Sequence, residues 1–164
     1  MKILLLFFLT LPLQALGQEE DCIFDQETQT DEFIRDIQEF QNYEWNDSTK
    51  EATIILESGD TLIAYRGGCY HFGISGTLKT ADQELRETSK DYILEKGLWM
   101  AKNLFTTFNF NELQNKVTTE DYEIIRSDEE IFHIEFNHDY YSEYYLRAEQ
   151  LDGQLKVEIG YYYG

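Results

Sequence analysis

Apolar positions along the chain repeat with two different periods. Phe33, Ile34, Ile37 and Phe40 recur at i, i+1, i+4 and i+7, the stripe of one helical face. Thr30 or Asp31 can cap that stripe, and Asp31 and Glu32 suit the positive end of its dipole, so the spacing predicts a helix over 31–42. Residues 42–50 are polar and turn-like. The period then becomes two. Residues 52–57 and 61–66 read as strands around a Ser58-Gly59-Asp60 turn, and 69–79 as a third extended segment. Gly67-Gly68 inside this pattern predicts a bulge or a close backbone approach.

Helical spacing returns at Ile93, Gly97, Met100, Ala101, Leu104 and Phe108, widened by Leu94, Leu98 and Phe105. With Ser89 as cap and Asp91 in the first turn, this predicts a helix over 89–106. Gly97 in its middle costs about 1 kcal/mol against Ala, which implies a neighbour that needs the space. A shorter helix is expected over 110–117. The last third reads as a meander of strands at 121–126, 131–137, 142–150 and 154–163.

Asp152-Gly153 is a type I′ hairpin signal. Folding the chain there sets Glu149 against Lys156, Arg147 against Glu158 and Tyr145 against Gly160, which the ring can cover. Ala148 then meets Val157, Leu146 meets Ile159 and Tyr144 meets Tyr161. Opposite charges pair on one face and apolar groups on the other, and a slip of one residue would break both sets. The expected fold class is α+β. An antiparallel sheet, with an N-terminal three-strand segment and a C-terminal four-strand meander, packs against one main helix and one or two shorter ones.

Composition narrows the function classes. The chain has 164 residues, one domain's worth, and its 42% hydrophobic and 15% aromatic content is too rich for a disordered acidic tail. Thirteen Lys and Arg against 32 Asp and Glu give a net charge of −19. Such a chain repels phosphate backbones and anionic lipid, which argues against nucleic acid and membrane surfaces as partners and favours a basic protein.

Residues 1–17 have the form of an export signal. Lys2 is the positive start, 3–13 the apolar core, and Ala15 and Gly17 the small residues before a cut at Gln18. Loss of Lys2 takes the net charge from −19 to −20. The product is expected to be periplasmic or extracellular and free of the membrane, a single domain over 18–164 with a loose acidic arm at 18–30. In that compartment Cys22 and Cys69 are expected to form a disulfide. The loop they would close corresponds to about 4 kcal/mol.

Candidate chemistry is sparse. Strand alternation sets His133 and Glu135 on one polar face, with His138 and Asp139 in the next turn, a weak zinc constellation. His71 lies two residues from Cys69 in a Gly-rich stretch. A small secreted hydrolase or metal-dependent enzyme built on His71, or on His133 and His138, is the alternative reading. No nucleophile elbow, phosphate loop or dinucleotide fingerprint occurs, and no cofactor is implied. Seven of twelve tyrosines fall in 140–163. Tyr140, Tyr141, Tyr145 and Tyr163, with His71, form the candidate binding surface, since tyrosine supplies stiff amphipathic area. The Ser75-Gly76 pair is similar to the Ser-Gly pair in an insertion loop of bacterial periplasmic lysozyme inhibitors, which implies an inhibitor-like role. The expected function is binding by an exported acidic protein.

Overall fold

The computed structural model describes residues 29–68, 72–80, 84–106, 110–136 and 142–163. Cys22, Cys69, His71, His138, Asp139, Tyr140 and Tyr141 lie outside the described residues, and with them the expected disulfide, the export signal and most of the acidic arm.

Eight antiparallel strands form one sheet. In chain order they are β1 (Tyr43–Asn46), β2 (Glu51–Ile55), β3 (Thr61–Gly67), β4 (Phe72–Thr80), β5 (Glu123–Ser127), β6 (Ile131–Phe136), β7 (Ser142–Leu151) and β8 (Gln154–Tyr163). Their order across the sheet is β1-β2-β3-β4-β8-β7-β6-β5. Two four-strand meanders therefore join through β4 and β8, with β1 and β5 at the edges. Three α-helices, α1 (Glu32–Arg35), α2 (Lys90–Leu104) and α3 (Phe110–Thr118), complete the α+β fold.

The main helix forms as its sequence predicts. The Ser89 side chain accepts the Tyr92 N–H at 3.2 Å and caps α2, which buries Ile93, Leu94, Met100, Ala101 and Leu104. This face lies on β4, β7 and β8. Two glycines set how close it comes. A Cβ on Gly97 would stand 2.7 Å from Leu146 Cδ1, and one on Gly76 would stand 2.6 Å from Leu104 Cδ1. The helix gives up a side chain to β7, and β4 gives one up to the helix. The core between them comprises Leu62, Ile74, Leu78, Ile134, Leu146, Val157 and Ile159, all buried.

The C-terminal hairpin has the expected register, with Arg147 opposite Glu158, Leu146 opposite Ile159 and Tyr145 opposite Gly160. Asp152 and Gly153 take φ of 53° and 77°, as a type I′ turn requires.

Two expectations near the N-terminus need correction. The helix over 31–42 is only α1, followed by extended Ile37 and a 3-10 turn over Gln38–Phe40. Ile34 and Phe40 are buried, but by a bent chain rather than a continuous helix. Asp31 does not cap with its side chain. Its carboxylate accepts from Arg35 and from the Tyr43 hydroxyl, each at 2.5 Å, and Gln41 Nε2 donates to the Arg35 and Ile37 carbonyls. These bonds satisfy the broken end and hold it against β1. Likewise 42–50 is not all turn. Tyr43–Asn46 pairs with β2, and only Asp47–Lys50 reverses the chain. The N-terminal half thus has four strands, one more than expected.

Candidate functional site

The described helices pack on the sheet face that carries Leu78, Val157 and Ile134, and none of them covers the opposite face. Strand alternation decides what that open face displays. The pairing sets Glu123, Glu135, Tyr145, Gly160, Ser75, Tyr65 and Glu51 in one row across seven strands, from β5 to β2. At about 4.8 Å per strand the row is roughly 29 Å long, with Tyr145 and Tyr65 roughly 14 Å apart.

The tyrosines of this face lie over glycines. Tyr145 Cε1, Cζ and Oη come within 2.3–2.4 Å of where a Cβ on Gly160 would stand, so the ring rests flat on that strand. Its hydroxyl donates to Glu158 Oε1 at 2.6 Å. Burial first, and this bond second, push the Tyr145 phenol well above its ordinary pKa, so it stays a protonated donor. Tyr162 reaches across to Gly73, Cε1 3.1 Å from the Cβ position, and stacks on Tyr145 with ring centroids 5.7 Å apart and planes 14° apart. Tyr65 folds back over Gly67 in the same way, its hydroxyl 2.9 Å from the Cβ position. Gly67 pairs with Gly73 in unbroken register, so the expected bulge is not there, and what comes close is a tyrosine ring rather than backbone. Tyr162 remains half exposed. The result is a flat, rigid aromatic surface on a continuous sheet.

The charges around it are uneven. Glu149 and Glu158 are neutralised by Lys156, 3.3 Å from each, and Arg147 lies 2.6 Å from Glu149. Glu51, Glu123 and Glu135 flank the tyrosine row with no lysine or arginine bridge among the described residues. His133 and Glu135 share this face as expected, Nε2 to Oε1 3.7 Å. The cross-strand neighbours of His133 are Arg126 and Arg147, and two guanidinium groups beside an imidazole oppose a divalent cation there. Among the described residues no three His, Cys, Asp or Glu side chains gather into a metal cluster.

The candidate binding surface is only partly one surface. Tyr145 is on the open face, whereas Tyr163 has the opposite parity and belongs at the end of the helix-covered face. Tyr162, Tyr65 and Glu51 were not among the expected residues. Tyr162 was within reach, since it is two residues beyond the Gly160 that Tyr145 covers. Tyr65 was not, because its place depends on the pairing of β3, β4 and β8. Ser75-Gly76 is not in a loop. It lies in the middle of β4, and Gly76 is under Leu104 and Met100 of α2, so the likeness to an inhibitor insertion loop does not survive. No family model matches the chain, and no curated protein or solved structure is similar to it.

Proposed function

We propose that the chain is an exported binding protein whose open sheet face takes a lysine- or arginine-bearing segment of a basic protein. The observation that carries this reading is the row in which Tyr145 and Tyr65, with Tyr162 stacked beside Tyr145, lie between Glu135 and Glu51. A cation over a tyrosine face gains about 0.5–1 kcal/mol when exposed and about 2 when desolvated. The flanking carboxylates add charge-assisted hydrogen bonds to the same side chains. The rings are already pinned over glycines, so little side-chain entropy remains to be lost on binding. The negative charge of the whole chain selects against anionic partners.

The test uses the mature protein, a short Gly-Arg repeat peptide and its Gly-Glu counterpart. The arginine peptide is expected to bind and the glutamate peptide not to. Tyr162→Ala should weaken binding by about three- to tenfold. Glu51→Gln with Glu135→Gln should weaken it further. Unchanged affinity in both variants would overturn the reading.

A further inference from the structure

On the helix-covered face, close to where α1 meets the sheet, the Arg66 guanidinium lies near two phenyl rings. Its guanidinium carbon lies 5.9 Å from the Phe33 centroid and 5.3 Å from the Phe72 centroid. In a chain with 32 acidic residues, this guanidinium has no ion pair or side-chain hydrogen bond to any described residue. A guanidinium beside apolar rings still has its N–H donors to satisfy. Arg66 is one of the residues that line a cavity of about 180 Å³, with Gln29, Thr30, Glu32, Phe33 and Phe72. Gln29 also lines this cavity, and its Oε1 is buried with no hydrogen-bond partner.

The cavity therefore lacks an acceptor on its Arg66 side and a donor on its Gln29 side, where Glu32 adds a second acceptor. We propose that it binds a carboxylate with an N–H donor one carbon away. This is the α-end of an amino acid, either free or as the last residue of a peptide. The carboxylate accepts from the Arg66 fork, the N–H donates to Gln29 Oε1, and a small side chain lies against the phenyl rings. At 180 Å³ the space is below the roughly 300 Å³ at which drug-sized pockets begin, so it suits one residue. Glu32 disfavours a bare anion, which is why the ligand carries a donor as well. The net charge of the chain is screened beyond about 8 Å at physiological salt and does not close the pocket to a carboxylate. The site is on the opposite face from the tyrosine row, so either can fail without the other.

The test follows the Arg66 Nε–Hε resonance of the mature protein, assigned by its loss in Arg66→Gln. L-Alanine, N-acetyl-L-alanine and L-alaninamide are the probes. The two carboxylates distinguish the sources. A response to L-alanine alone identifies a free amino acid, and a response that includes N-acetyl-L-alanine identifies a peptide terminus. Arg66→Lys keeps the charge but loses the fork, and backbone amide shifts should show its binding weakened about tenfold or more. Gln29→Ala should weaken it several-fold. A response to L-alaninamide equal to that of the carboxylates would overturn the proposal, as would the absence of a saturable shift with both carboxylates. If Arg66→Gln does not fold, the three probes and Gln29→Ala on the folded protein still decide the question.

Discussion

Tyr145 occupies the space that a side chain on Gly160 would need, with three ring atoms 2.3–2.4 Å from the missing Cβ. Gly160→Ala must therefore displace the ring and break its hydrogen bond to Glu158. Overpacking of this kind costs about 1–3 kcal/mol. Chemical denaturation should show that loss in the wild-type background and a much smaller one in Tyr145→Ala, where the clash is gone. A double-mutant cycle with no coupling would show that the two residues do not share this space.

At the other end of the same hairpin, Asp152 and Gly153 both have positive φ. A β-branched residue resists that region, so Gly153→Val should destabilise by about 1–2 kcal/mol. Gly153→Asn, which tolerates the conformation, should cost much less. Equal losses in thermal unfolding would show that backbone conformation is not the cause.

The β5–β6 turn predicts a pH effect. Asp128 accepts from Arg126 Nε at 2.5 Å and, through Oδ1, from the Glu130 and Ile131 N–H groups at 2.9 and 2.8 Å. The Arg126 bond first, then the backbone bonds, lower its pKa from 3.8 to about 2. A group with a depressed folded pKa adds stability above its unfolded value and loses it as pH falls through the folded one. The contribution of Asp128 should thus be complete above about pH 4 and vanish towards pH 2. A carboxyl carbon titration with a midpoint near the ordinary 3.8 would contradict this. Asp128→Asn should flatten the acid limb of the stability curve.

Local pattern anticipated the second half of the fold and three strands of the first, and went astray over residues 31–50. The last hairpin was legible because three constraints coincide in adjacent residues: a turn that needs Asp-Gly, a set of charge pairs and a set of apolar pairs. Ser89 and the stripe through Ile93 and Leu104 likewise specify α2 by themselves. The stripe through Phe33 and Phe40 has the same spacing, but the Asp31 side chain does not cap it. Hydrogen bonds from Tyr43 and Gln41 bend it into β1 instead. The candidate site shows the same division. Tyr145 over Gly160 is a hairpin neighbour and readable. Tyr65 enters the row through β4 and then β8, whose Gly160 is more than ninety residues away in the chain. Arg66 joins Phe33 only once α1 has folded onto the sheet.

If the chain is exported to an oxidising compartment, as proposed above, its two cysteines, Cys22 and Cys69, are expected to be bridged. Intact mass after alkylation without reductant should show no modified thiol. After reduction it should show two, with a loss of stability of about 4 kcal/mol. Two alkylated thiols in the native protein would disprove the bridge.

The last prediction concerns how a basic partner arrives. The turns at one end of the sheet carry Asp60, Asp128, Glu129, Glu130 and Asp152, and Glu84, Glu129, Glu130 and Glu149 line a cleft of about 750 Å³ there. None of these residues is in the tyrosine row, yet together they shape the field that an approaching cation meets. A field of this kind acts on the encounter rate and much less on the bound contact. For the Gly-Arg peptide, stopped-flow association should slow by about tenfold or more between 0.01 and 0.15 M salt, as the screening length contracts from about 30 to 8 Å. Dissociation should change little. Glu129→Gln with Glu130→Gln should lower the association rate at low salt and leave dissociation unaltered, whereas Tyr162→Ala should do the reverse. The two variants thus separate steering from contact. An association rate independent of salt would refute steering and reduce the charge to a means of keeping the protein in solution.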